Sequence, residues 1–194
     1  MISTDQDSSD TGIRGGRLAV SHKFSPPSAL ANAISRPRLL DDVFEDRDFS
    51  AVAIQGPAGY GKSTLMQQVY DHSASSGLLT GWLTLEESDD DISRFNTLLS
   101  LLIQETCQQR QQSGPYISVT SGNSAVEHLL DVLVQTREPV AFFIDEFQTI
   151  HGSINLGLLN TLIERCPGHV TFYIGSRAVP DLVHGKLLIS GRIK

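Results

Sequence analysis

Residues 51–54 read AVAI, and residues 56–64 read GPAGYGKST. A short β-branched run that breaks off into a glycine-rich loop, with a lysine and two hydroxyls at its exit, leaves the chain few options. Ala51–Ile54 has the character of a short buried strand that ends at Gly56. Gly56, Gly59 and Gly61 allow positive φ, so successive backbone N–H groups can turn toward one point. A concave nest of that kind binds phosphate. Beyond it, Leu65, Met66, Val69 and Tyr70 recur at helical spacing and make one face apolar. The helix they imply adds its unpaired first-turn donors and the positive end of its dipole. The spacing of Gly56, Gly61, Lys62 and Ser63 is that of a P-loop, set in the strand-to-helix context it requires. Gly56, Pro57, Ala58, Gly59, Tyr60, Gly61, Lys62, Ser63 and Thr64 are thus expected to cradle a nucleotide triphosphate. Lys62 would reach the β- and γ-phosphates, and the Ser63 hydroxyl would bind Mg2+.

The rest of the chain decides what kind of phosphate protein this is. Ala51–Gln55, 77–85, 140–146 and 169–176 read as strands, with 186–190 as a fifth. Between them lie helical patterns: the loop helix to about Ser75, a long one from Ile92, one over Ala125–Gln135 and one over 156–166. In the long helix Ile92, Phe95, Leu98, Leu99, Leu102 and Ile103 share one side. A further short helix is expected to start near Leu39. Strands that alternate with helices predict an α/β fold with a doubly wound, mainly parallel sheet, the three-layer core of ASCE/AAA-like P-loop NTPases. The acidic run EESDDD at 86–91 reads as a solvated loop whose last aspartate caps the next helix. Gly114-Pro115 opens another loop.

Composition narrows the function classes. The 194 residues carry a net charge of −7, which argues against direct DNA binding by this segment. No apolar run is long enough to span a membrane, and residues 1–17 lack the apolar core of a secretion signal. A cytoplasmic location, with Cys107 and Cys166 as reduced thiols, follows as the expectation. The 6 histidines are scattered without metal-ligand spacing, and no serine-hydrolase elbow occurs. The division expected is a disordered leader over 1–20, a nucleotide-flanking segment over 21–50 and the P-loop core over 51–194.

Two further stretches point to a triphosphatase. AFFIDEF places Asp145 at the carboxyl end of a buried strand, where open α/β sheets bind ligands. A carboxylate there would hold Mg2+ together with Ser63, and Glu146 beside it would act on the attacking water. YIGSR puts Ser176 and Arg177 at the end of a strand expected to lie between the P-loop strand and the Asp145 strand. Arg177 would there read or stabilise the γ-phosphate.

FSPP and ISRPRLLD, GPAGYGKST, GWLTLEESDDDISRF, AFFIDEFQTI and YIGSRAVP together resemble the nucleotide-binding domain of STAND-class signalling ATPases. Within that class they are most similar to the large LuxR-type, ATP-dependent transcriptional regulators. The resemblance runs from about Phe24 to Ile189. It implies a slow ATPase switch that binds ATP and ADP, with Lys62, Glu146 and Arg177 in catalysis and Ser63 and Asp145 on Mg2+. It also implies that Arg38, in the N-terminal segment, touches the nucleotide. The family couples ATP to self-association and continues into winged-helix, sensor and DNA-reading regions, which this chain would lack. The Asp145-Glu146 pair departs from the Asp-Asp common in that family. A general AAA-like ATPase of the Orc or transposition-helper kind, a small-molecule kinase and a truncated, non-enzymatic nucleotide-binding fragment are the alternatives.

Overall fold

The computed structural model describes residues 21–28, 34–45, 49–109 and 123–178. The expected leader over 1–20, the loop at Gly114-Pro115 and the fifth strand over 186–190 lie outside the described residues. The elements in chain order are a 3-10 turn Ser21–Phe24, α1 Pro37–Glu45, β1 Ala51–Gln55, α2 Lys62–Ser75, β2 Leu79–Thr84, α3 Ile92–Cys107, α4 Asn123–Gln135, β3 Val140–Asp145, α5 Ser153–Arg165 and β4 Val170–Ser176. Short 3-10 turns at Glu87–Asp90 and Phe147–Thr149 follow β2 and β3. Helix α1 begins at Pro37, two residues before the sequence suggested. Proline suits the first helical position because its φ is already helical and its missing N–H is not needed there.

Among the described residues the strands form one 4-stranded sheet in the order β1-β4-β3-β2, with every pair parallel. β4 therefore lies between β1 and β3, as expected from the sequence. Alternation along each strand divides the core. Val140, Phe142 and Ile144 pack with Phe172 and Ile174 against α3, α4 and α5, while Ala141, Phe143 and Tyr173 face α2. On the α2 face Trp82, Phe143 and Tyr173 stand side by side in register. Their rings stack at 5.8 and 4.7 Å, each pair 9° from parallel. Each such pair contributes roughly 0.5–1.5 kcal/mol beyond its buried area. The result is a three-layer α/β core in which all strands end on one edge. Gln55 is level with Ser176, and Thr84 with Asp145.

Two expectations are corrected. Ile92 sits at the exposed start of α3, 39% accessible, while Phe95, Leu98, Leu99, Leu102 and Ile103 are buried as anticipated. The acidic run is exposed at Glu86, Glu87, Ser88 and Asp91, and Asp91 caps the next helix as anticipated, but Asp89 departs from that solvated face. Asp89 is fully buried, bonded to the equally buried Lys23 at 2.5 Å and to Arg94 at 2.5 Å. Asp90 accepts from the backbone of His151 and Gly152, which fastens the start of α5, and Asp91 caps α3 through Arg94 N. The reason is neutralisation: a carboxylate tolerates burial when cations and N–H donors surround it. Lys23 and Arg94 supply the charge, and Glu86 N adds a bond to Asp89 at 2.9 Å.

Candidate functional site: a phosphate-binding loop at the strand ends

At the end of β1 the loop leaves the sheet with Gly56 N still bonded to Ser176 O at 3.2 Å. Gly59 and Gly61 then take φ of 80° and 79°, the left-handed region that only glycine enters freely. Gly61 is the residue from which α2 springs, and its carbonyl accepts the first helical bond from Leu65 N at 2.9 Å. The N–H groups of Lys62, Ser63 and Thr64 therefore have no partner within the helix and point out of its start. Lys62 arches back across the loop, largely buried, with Nζ donating to Pro57 O at 3.3 Å. A cation, free helical donors and a glycine bend thus surround one small volume.

Asp145 enters the same volume from the end of β3. It is 3% exposed, and the Ser63 side chain hydrogen-bonds to it. Burial pushes its carboxyl above the usual aspartate range, against the bonds from Ser63 and Glu146 N and the charge of Lys62. Hard oxygen donors from Ser63 and Asp145, side by side, fit Mg2+. Among the described residues no cluster of three or more His, Cys, Asp or Glu side chains exists that could hold a metal alone. An ion here would complete its shell with phosphate and water, as Mg2+ commonly does.

Gly175 on β4 explains how Asp145 fits. A Cβ at that position would lie 2.3 Å from Met66 Sδ and 2.6 Å from Asp145 Oδ1. Only a residue without a side chain lets α2 and the Asp145 carboxylate approach β4 together. The sequence held a signal for this, since a glycine inside a strand often marks close approach.

Glu146 follows in a left-handed conformation, φ 56°, the sole non-glycine residue with positive φ among the described residues. Asp145 Oδ1 accepts from Glu146 N at 2.8 Å, and Thr149 N and Oγ1 both donate to Glu146 O, at 3.1 and 3.0 Å. Arg177, at the end of β4, donates from Nη2 to Glu146 Oε2 at 3.0 Å. Gln148 joins them: its Nε2 donates to Glu146 Oε2, and its Oε1 accepts from Arg177 N at 3.0 Å. Gln148 was not singled out from sequence; its polarity between Phe147 and Ile150 was the available sign.

An arginine that the sequence did not single out lies against the loop, beside Arg38, which was expected to touch the nucleotide. Arg36 Nη2 donates to Tyr60 O at 3.1 Å, whereas Arg38 is an exposed residue of α1. In RPR, Pro37 starts the helix, so Arg36 precedes the first turn and Arg38 projects from it. Beside them a cavity of about 420 Å³ opens between α1, β1 and the loop, lined by Arg36, Leu39, Asp42, Tyr60, Gly61 and Lys62 among others. That volume lies within the range of small-ligand pockets.

The family model of nephrocystin 3, N-terminal, matches residues 36–177, from Arg36 to Arg177. The chain belongs to that family. The matched span contains the loop, Asp145, Glu146 and Gln148, so every group that converges at the strand ends lies inside the nephrocystin 3 N-terminal match. Among solved structures the chain is similar to the ORC2 protein of Aeropyrum pernix, determined as ADPNP-ADP complexes. The TM-score is 0.55 at 16% identity, over 89% of this chain and 51% of that one. It is also similar to the ORC1 protein of Aeropyrum pernix in complex with DNA, with a TM-score of 0.50 at 18% identity, over 81% of this chain and 42% of that one. At such identities the likeness is one of fold, and that fold is a P-loop ATPase-like α/β domain. The chain spans about half the length of the ORC2 structure. No described helix of this family member is long and apolar enough to cross a membrane.

Proposed function

We propose that this domain binds ATP with Mg2+, hydrolyses it slowly and serves as a nucleotide-dependent switch. The observation that carries the reading is the convergence of Lys62, Ser63 and Asp145 on the left-handed glycine loop. Gly56–Thr64 offers backbone donors to the phosphates, and Lys62 places its charge among them. Ser63 and Asp145 would hold Mg2+, which when bound neutralises charge on the phosphate oxygens. Glu146 orients the attacking water and accepts its proton. Arg177 meets the γ-phosphate, the group that separates ATP from ADP. Arg36 secures the back of the loop through Tyr60 O.

The finer reading rests on resemblance of motifs. It makes the domain the switch of a signal-responsive, self-associating LuxR-type transcriptional regulator, with DNA contacted by other regions. The likeness to the ORC2 and ORC1 folds favours a second reading, a general AAA-like ATPase. Nucleotide chemistry at this site is common to both.

The test is calorimetric titration with ATP and ADP, with and without Mg2+, beside a phosphate-release assay. Wild type should bind both nucleotides and release phosphate slowly. Glu146→Gln should keep binding and lose about 10²-fold or more in turnover. Wild-type protein that binds neither nucleotide would overturn the reading.

A further inference from the structure

Glu146, Gln148 and Arg177 form a closed ring of hydrogen bonds across the ends of β3 and β4. Gln148 Oε1 accepts from Arg177 N, Gln148 Nε2 donates to Glu146 Oε2, and the same oxygen accepts from Arg177 Nη2. The ring has one sense. A backbone N–H needs the amide oxygen, so the amide nitrogen must face the carboxylate. The turn beneath is held by Asp145 and Thr149, so the left-handed Glu146 cannot relax without breaking several bonds. One carboxylate oxygen therefore receives both an amide and a guanidinium, while the Arg177 side chain, 56% accessible, stays open to a further anion.

This arrangement sets the two roles proposed for Glu146 and Arg177 against each other. A carboxylate oxygen engaged by two donors has less room to accept a hydrogen bond from water. A guanidinium paired with a carboxylate is a weaker receptor for phosphate. We propose that the γ-phosphate of ATP and the Glu146 carboxylate compete for Arg177, and that Gln148 is the positioning residue that biases this contest and so sets the preference for ATP over ADP. The inference rests on the reading of Arg177 as the γ-phosphate contact. A γ-phosphate brings more charge than one carboxylate and draws the guanidinium away. Glu146 is thereby released toward water only when a triphosphate is present. ADP has no such group and leaves the ring closed. A ligand shifts such an equilibrium only by its differential interaction with the two arrangements, and the γ-phosphate supplies the difference. Because the pair is solvent-accessible its strength is modest, which puts the bias at about two- to five-fold.

The experiment measures the affinity ratio of a non-hydrolysable ATP analogue to ADP, with Mg2+, on the full chain. Five proteins are compared: wild type, Glu146→Gln, Gln148→Met, Arg177→Ala, and Gln148→Met with Arg177→Ala. Thermal midpoints accompany each. Glu146→Gln and Gln148→Met should raise the ratio by about two- to five-fold, and Arg177→Ala should lower it. Adding Gln148→Met to Arg177→Ala should change nothing, a result that a purely structural role for Gln148 does not produce. If Arg177→Ala lowers the ratio but Glu146→Gln and Gln148→Met leave it unchanged or reduced, the contest is overturned and the γ-phosphate reading stands. If Arg177→Ala leaves the ratio untouched, the reading of Arg177 fails and takes the contest with it. Absence of nucleotide binding by wild type overturns both.

Discussion

Gly175→Ala is a small change with a large expected effect. The added Cβ would stand 2.3 Å from Met66 Sδ and 2.6 Å from Asp145 Oδ1. Comfortable contact needs about 3.5 Å or more, so each neighbour must retreat by roughly 1 Å. Met66 is fully buried between α2 and the sheet. Asp145 Oδ1 is tied to Glu146 N at 2.8 Å, and the carboxylate also takes a bond from Ser63. Overpacking of this kind costs about 1–3 kcal/mol, and a weakened Asp145 hydrogen bond adds about 1 kcal/mol. A total of roughly 2–4 kcal/mol should lower the thermal midpoint by roughly 5–15 °C in a domain of this size. Gly157→Ala is the matched control. Gly157 is an exposed residue within α5 with nothing inside 4 Å of its Cβ position, so alanine there should stabilise by about 0.5–1 kcal/mol. Circular dichroism melts report the packing. Calorimetric titration of ATP with and without Mg2+ reports Asp145, because its displacement should weaken the Mg2+-dependent part of binding. A Gly175→Ala protein that melts within 1 °C of wild type (about the error of a melt, and far below the ~2–4 °C expected per kcal/mol) would refute the packing argument. A destabilised variant with unchanged Mg2+ dependence would show that Met66 alone yields.

Lys62→Ala should weaken ATP binding by about 2–3 kcal/mol, a lost charge-assisted contact, and equal affinity in titrations of the two proteins would refute the phosphate role. The buried Asp89 makes stability pH-dependent. Burial raises the Asp89 carboxyl, but the bonds from Lys23, Arg94 and Glu86 N more than offset it, so its folded value lies below the usual aspartate range. Its contribution is then complete above about pH 4, where an unfolded aspartate is ionised, and is lost as pH falls through the lower folded value. Urea melts at stepped pH should show that loss, and Asp89→Asn should flatten it. At neutral pH Asp89→Asn should destabilise toward the low end of the ~3–5 kcal/mol typical of a broken buried pair, because Glu86 remains 2.9 Å from Lys23. No specific DNA binding is expected of residues 1–194, whose net charge is −7, and a low-salt gel shift with sub-micromolar affinity would contradict this.

Much of the site was readable because its signals are local. GPAGYGKST encodes a bend, a helix start and a cation within a single turn of chain, and its neighbours AVAI and LMQQVY declare strand and helix by periodicity. AFFIDE places Asp145 at a strand end for the same reason: apolar residues on both sides of a strand mean burial between helix layers. The match of β4 between β1 and β3 shows that strand order, too, followed once the loop type was known. Partly legible was EESDDD: the cap of α3 by Asp91 was foreseen, but nothing local marked Asp89 for a buried ion pair or Asp90 for the backbone of His151 and Gly152.

What sequence alone determined is the glycine-rich loop with its lysine, the approximate positions of the described strands and helices, and the residue type at each strand end. These follow from φ freedom, side-chain period and charge within a few residues of one another. What only the tertiary structure decided is partnership. Lys23 meets Asp89 across 66 positions and Arg177 meets Glu146 across 31. Arg36 rather than Arg38 reaches the loop because α1 begins between them. Gln148 gains its place only when parallel pairing brings the ends of β3 and β4 level, and Gly175 gains its necessity only when Met66 and Asp145 converge on it. Periodicity announces which face of an element is buried. It carries no record of which distant side chain will stand opposite, because that depends on the order in which the sheet assembles its strands and on the loops that bring them there.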